Sequence, residues 1–403
     1  MRLLVVLSAL WLSMICPMQS FALGCRDWFK AHSPRWEDPQ ASDMAIVEPD
    51  CYAWRLFIAM NWPADVTKKE ANQSNTFGSH GPVVWETWRN ARNDAPDTAF
   101  PVDGSDPGPW LDAPVVATMS NRFEHPEPPL QQTLFAAAVK ANGGPSVLFD
   151  PESAENSNNE TRLNRSTYEF IRSQKLYNLN GQQELFKNGT ETITFPLTAK
   201  EVKAQWREIT EADKPRYHWT ESTTPQGVKI FGLTALHITT KDLPNWFWAT
   251  FEHIDNKKAD DHANPPAEGW LLPSVDRFSC PTAPHDCEAI PSGIGLEGTH
   301  WENYRLRGTQ IDFVDSRGRP LQLANSQPEA GFQATSSCIT CHALASVDSK
   351  GKRLPIFGPN GGFVGIPTGF FDAQGNRKFT QLDFVWSLFR ACLQNPGSTT
   401  CKR

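Results

Sequence analysis

In the stretch SSCITCHALAS, residues 336 to 346, Cys338 and Cys341 flank two residues and His342 follows at once. That is the C-x-x-C-H spacing used for covalent attachment of a c-type haem. With 9 Cys and 10 His in 403 residues, random placement would produce it in roughly 0.5% of chains of this composition, so the signal is strong. Three other chemistries use paired cysteines. A thioredoxin-like redox pair wants a cytosolic βαβ setting, a zinc half-site wants a second Cys/His pair nearby, and a plain disulfide wants neither.

Two further stretches imitate sites. GIGLEG, Gly293 to Gly298, matches G-x-G-x-x-G, but a dinucleotide site needs a strand before it and a helix after it. Here a Pro-Ser turn precedes and a strand pattern follows, so a glycine loop is expected. The acidic cluster DNKKADDH, residues 255 to 262, lacks EF-hand spacing and reads as a solvated loop.

The start of the chain bears on where a haem could be attached. Arg2 precedes an apolar run from Leu3 to Ile15, and Ser20-Phe21-Ala22 offers small residues where a signal peptidase cuts. Residues 1–22 therefore read as a cleaved secretory peptide. The alternative is a lipoprotein anchored at Cys25, although Ala22-Leu23-Gly24 is an atypical lead-in. No later segment reaches the ~18 apolar residues of a membrane span. The expectation is a periplasmic protein that is not transmembrane.

Cysteine parity agrees. Setting aside Cys16 with the peptide and Cys338 and Cys341 with haem leaves Cys25, Cys51, Cys280, Cys287, Cys392 and Cys401, a set that can pair completely in an oxidising compartment. Sequence leaves the connectivity open, and proximity favours Cys25–Cys51, Cys280–Cys287 and Cys392–Cys401.

A net charge of -7 with no basic run excludes nucleic acid from the expected partners. Thirty-two Pro and 26 Gly imply many loops, and 15 Trp with 24 Phe read as aromatic core packing.

These residues need elements to hold them. PDCYAWRLFIAMNWPA predicts a helix with Asp50 at its start and Pro63 as its stop. VVWETWRNAR predicts a second short helix, residues 95 to 131 a loop, and STYEFIRSQKLYN a further helix. TAKEVKAQWREITEADK predicts another, with Thr198 as cap and Glu201 three residues on. VKIFGLTALHITT and WFWATFEHI predict an antiparallel hairpin, and HWENYRLRGTQIDFV a strand that turns at Asp315 to Gly318. The fold class expected is α+β: an antiparallel β-rich body with peripheral helices and long loops, residues 23–325, followed by a C-terminal, mainly helical haem-binding segment, residues 326–403.

That last segment resembles class I c-type cytochromes. CITCH is similar to their haem site, FGPNGGFVGIPTG to the Gly-Pro loop after it, and FTQLDFVWSLFRACLQNPG to their closing helix, with Thr380 and Asp383 as a capping pair. The resemblance covers about seventy residues. It implies thioethers from Cys338 and Cys341, His342 as the proximal iron ligand, and the Pro359 carbonyl as acceptor for the other ring nitrogen of His342. FIAMNWPA, VVWETW, WFWATFEHIDN and TSSCITCHA also resemble stretches of larger secreted bacterial monohaem proteins, a likeness that bears on class and compartment and leaves the reaction open.

The chain departs from class I in one important respect. Residues 343 to 403 contain neither Met nor His, so the usual distal ligand is missing. The choices are a ligand from the body, among Met44, Met60, Met119, His237, His253 and His300, a lysine such as Lys352, or an open position. Only 61 residues follow His342, so the segment is expected to lean on the body for part of its pocket. The function expected is electron transfer by one covalent haem c, to or from a redox partner protein or a small oxidant or reductant. The alternatives are a haem enzyme or gas-binding protein for peroxide, oxygen or nitric oxide, and a binding protein in which haem is a sensor or staple.

Overall fold

The computed structural model describes residues 29, 36–37, 43–120, 122–123, 157–256, 276–280, 292–329, 336–354 and 365–403. The expected signal peptide, Cys25, Cys287, Pro359, most of the acidic cluster and most of the Gly-Pro loop lie outside them.

A short helix α1 (Met44–Val47) leads into α2 (Pro49–Met60), which has Pro at its first position, where the missing N–H is no loss. α2 is buried from Asp50 to Met60, so it is a central helix and not an amphipathic cover. Asp50 does not cap it. Its carboxylate accepts from the Arg277 N–H at 2.8 Å and from Thr309 Oγ1 at 3.0 Å.

A small hairpin of β1 (Ala64–Asp65) and β2 (Glu70–Ala71) follows. The helix expected over VVWETWRNAR is instead a 3-10 turn, Val84–Thr87, and a short strand β3 (Arg89–Asn90), because Arg89 and Asn90 pair with the next strand. Residues 95–120 form the expected loop, interrupted by two 3-10 turns.

Seven strands make the main sheet: β3, β4 (Ser157–Leu163), β5 (Lys200–Ile209), β6 (Trp219–Thr224), β7 (Gly227–Thr240), β8 (Phe247–His253) and β9 (Tyr304–Gln310). Their order is β3-β4-β5-β7-β8-β9, all antiparallel, with β6 also paired to β7. The β7–β8 hairpin is the one read from sequence. Two helices, α3 (Arg165–Ser173) and α4 (Leu179–Lys187), start at Asn164 and Asn178, whose side chains accept from Thr167 N–H and Gly181 N–H. α4 went unrecognised in the sequence.

β5 corrects the helix expected over TAKEVKAQWREITEADK. Val202, Ala204 and Trp206 are buried on one face, which is a strand alternation, and the Glu201 carboxylate is not a cap but accepts from the Ser387 hydroxyl. Long pairing with β7 outweighs the local helical preference of Glu, Lys and Ala.

The sheet has two different faces. Phe247 and Phe251 of β8 pack on α2 through Tyr52, Trp54 and Phe57, with ring centroids 4.5–5.0 Å apart. Glu201, Lys203, His237, Thr239, Trp248, Thr250 and Gln310 alternate with that apolar set and point to the other side, as their cross-strand pairings require. The C-terminal segment covers this second, polar face.

That segment holds α5 (Cys338–Ala343) and a pair of two-residue strands, β10 (Ser346–Val347) and β11 (Thr380–Gln381). It is not mainly helical. In place of the expected closing helix, a 3-10 turn spans Trp386–Arg390. Asp383 and Phe384 have positive φ, +47° and +68°, which no α-helix accommodates. Even so, Ile339, Val347, Leu382, Val385 and Leu388 join the same apolar cluster as α2 and the sheet.

Cys392 and Cys401 form a disulfide, as expected. Cys51 and Cys280 are also disulfide-bonded. No helix among the described residues is long and apolar enough to cross a membrane.

Candidate functional site

α5 presents its residues in two sets. Ile339, Thr340 and Ala343 are buried against the protein, while Cys338, Cys341 and His342 are half-buried and share the opposite side. Hydrogen bonds pin the helix to the sheet. Gln310 of β9 donates to Ser337 Oγ at 2.9 Å and accepts from the Ile339 N–H at 3.2 Å, and Trp386 Nε1 donates to the Cys341 carbonyl at 2.8 Å.

His342 is held on two sides. Its ring lies 4.5 Å from that of Trp248 on β8, centroid to centroid, and its Nδ1 donates to the Phe384 carbonyl at 2.9 Å. That bond fixes the tautomer and leaves Nε2 as the atom with a lone pair to offer. Phe384 O fills the role that the resemblance assigned to the Pro359 carbonyl. The carbonyl is aimed by the left-handed pair Asp383–Phe384. Asp383 is anchored by Lys241 Nζ at 2.7 Å, Trp246 Nε1 at 3.2 Å and the Phe195 N–H at 2.7 Å. Burial raises the Asp383 carboxyl above its usual range and the Lys241 ammonium pulls it back down.

The wall opposite α5 is the polar face of the sheet. Lys203 of β5 and His237 of β7 are direct cross-strand partners, and His237 is paired in turn with Thr250 of β8. Glu329 Oε2 lies 3.6 Å from His237 Nε2. Lys203, His237 and Glu329 are half-buried like the α5 set. The surrounding protein is nevertheless dense enough to act on the charges of His237, Glu329, Cys338, Cys341 and His342. Burial, with Glu329 adding to it, pushes the Cys341 thiol up to about 12 and Cys338 well above its ordinary value. It lowers His342 to about 4 and raises Glu329 to about 7. Burial, with the charges of Lys203 and His342, drives His237 well below its ordinary range. These half-buried side chains lie between α5 and the polar face of the sheet, close enough to act on one another's charges, and the space they line is a recess.

Cys338 and Cys341 are the free cysteines among the described residues, so they are not bonded to each other. No group of three or more His, Cys, Asp or Glu among those residues is arranged around a metal ion. α5 thus offers two free thiols and a tautomer-fixed imidazole, with His237 and Glu329 beside it and no three of these groups gathered around one point. Attachment of a haem c would ask the protein for two thiols and an axial base, and the α5 set has that composition.

The other residues considered as iron ligands lie apart from this recess. Met60 is on α2, behind the apolar face of the sheet, and Met44 Sδ accepts from Arg55 at 3.3 Å. His253 has both nitrogens engaged, with the Arg216 carbonyl and the Asp255 N–H, each at 3.0 Å. His300 lies in a 3-10 turn and not in the expected strand, with its ring beside Trp301 and His218. Met119 follows a 3-10 turn in the loop region. Lys352 is exposed in a turn around Asp348. GIGLEG forms the loop expected, with positive φ at Gly293, Gly295 and Gly298, and a four-residue 3-10 turn, His300–Asn303, follows it in place of the α-helix that a dinucleotide site needs.

Sequence reasoning passed over Phe384, Lys241, Trp248, Lys203 and Glu329, and it took Asp383 for a helix cap where the structure has left-handed backbone anchored by Lys241. Only the alternation in WFWATFEHI, which sets Trp248 and Thr250 on one face, carried a usable signal.

Compared with known proteins, the chain matches no family model, no curated protein and no solved structure.

Proposed function

We propose that the chain is a c-type cytochrome of the periplasm. It binds one haem c covalently through Cys338 and Cys341, with His342 on the iron, and passes electrons to or from a redox partner. The bound haem would supply the one-electron chemistry. The observation that carries the reading is the His342 Nδ1 bond to the Phe384 carbonyl, at 2.9 Å, beside two free thiols on the same side of α5. It presents Nε2 unprotonated, with its basicity raised by the bond behind it.

The chain's own residues then have separate tasks. Asp383, Lys241 and Trp246 fix the carbonyl that orients His342. Trp248 packs its ring against His342 and keeps water from that side. The Cys392–Cys401 disulfide agrees with an oxidising compartment.

A second reading is a haem enzyme or gas-binding protein. It is favoured by Lys203 and Glu329 in the recess, since burial holds Glu329 near 7, where a carboxyl can exchange protons at neutral pH.

Haem staining after denaturing electrophoresis tests the attachment. The stain should survive in the wild type and vanish in a Cys338→Ala, Cys341→Ala double variant. A wild type that loses its stain on denaturation would sink the reading.

A further inference from the structure

Resting on the cytochrome reading above, we infer that His237 of β7 is the second axial ligand, giving a bis-imidazole iron whose two histidines come from opposite walls of the recess.

Three observations carry this. His237 is on the polar face of the sheet, the face that α5 covers. Trp248, whose ring packs on His342 at 4.5 Å, is paired with Thr239, and Thr239 is two residues from His237 on the same face of β7. His237 is thus the diagonal neighbour of Trp248, a separation of roughly 7–8 Å between backbones, within reach of a side chain. Second, His237 Nε2 is buried and makes no hydrogen bond, since Glu329 Oε2 at 3.6 Å is beyond that reach. A buried ring nitrogen without a partner costs folding energy, which coordination would repay.

Third, among the described residues, other candidates named from the sequence are placed or occupied elsewhere. His253 spends both nitrogens, Met44 accepts from Arg55, and Met60 lies behind the sheet. His300 also has a buried Nε2 without a partner, but its ring belongs with Trp301 and His218 and does not face α5. Residues 343–403 supply no Met or His.

The test uses the full-length holoprotein in the ferric state. Near-infrared magnetic circular dichroism and electron paramagnetic resonance report the axial pair directly, and both should show a low-spin iron with two imidazoles. His237→Ala should shift the ferric iron to high spin and open the ferrous form to carbon monoxide, and added imidazole should restore low spin. A high-spin wild type, or a low-spin wild type with any other axial pair, overturns the inference, as does a His237→Ala spectrum identical to the wild type. If His237→Ala does not fold, the wild-type spectra decide alone. A wild type without covalent haem overturns the cytochrome reading itself, whereas a stained wild type with another axial pair overturns only this inference.

Discussion

His342 Nδ1 and the carbonyl of Phe384 meet at 2.9 Å although 42 positions separate them in the chain. The bond depends on backbone that a Phe rarely adopts, and such a conformation costs on the order of 1–3 kcal/mol. The Asp383–Lys241 pair next to it holds that conformation.

Removing one partner should therefore act at a distance. Lys241→Met leaves the Asp383 carboxylate buried without its cation, though still hydrogen-bonded by Trp246 and the Phe195 N–H, which should cost about 3 kcal/mol in urea unfolding, the low end for breaking a buried pair. In the holoprotein the same variant should raise the reduction potential, because an imidazole with a weaker Nδ1 bond is a poorer donor to ferric iron. A folded variant with an unchanged potential would show that the carbonyl is aimed by something else.

Trp248 is buried and touches His342. Trp248→Ala should destabilise the protein by roughly 3–5 kcal/mol, the range for emptying a large aromatic site. Trp248→Phe should recover most of that loss and keep the optical spectrum near that of the wild type. Thermal unfolding and visible absorption of the two variants check both statements.

Glu201 sets a pH dependence. It is buried at the contact between β5 and the Trp386–Arg390 turn, where burial raises its carboxyl from 4.5 to about 7 against the opposing hydrogen bond from Ser387. Between those two values the folded chain holds a proton that the unfolded chain releases, so stability falls as pH rises through this window and then levels. The total is about 3 kcal/mol at 1.36 kcal/mol per pKa unit. Glu201→Gln should remove this part of the slope, and chemical denaturation from pH 4 to 8 would reveal it. A variant that keeps the wild-type slope contradicts the assignment.

The Cys392–Cys401 disulfide closes a short loop, nine positions in sequence, and Cys392 is fully buried. Cys392→Ser with Cys401→Ser should lower stability by about 2.5 kcal/mol from loop entropy in the unfolded chain. The backbone near it is tied to the body by Asn93, which donates to the Arg390 carbonyl at 2.7 Å. The folded double variant should therefore keep its haem stain.

What the sequence carried was local or alternating. The C-x-x-C-H spacing and α2 are each read within a dozen residues, and the β7–β8 hairpin from two neighbouring runs joined by a short turn. The failures came where distant partners decide. Glu201, Lys203 and Glu208 favour a helix by type, yet β7 extends for 14 residues beside them and pairing prevails. The stretch after Thr380 has apolar residues at helical spacing, but Asp383 is drawn to Lys241, 142 positions away. Left-handed backbone at a non-glycine residue leaves no mark in composition. Neither does the pairing of Lys203 with His237, which exists only once β5 and β7 are adjacent.

The order of the chain gives the Asp383–Lys241 anchor a temporal meaning. The attachment helix is synthesised before the segment that later closes over it. Until Asp383 reaches Lys241 and Phe384 reaches His342, the helix that carries both thiols lacks the contacts that close over it. Afterwards Trp248 and Trp386 crowd the imidazole. If the proposed haem is attached, it would have to enter before this clasp closes, so a chain that folds before it is loaded would shut its own door and the yield of finished protein would become a race between two rates.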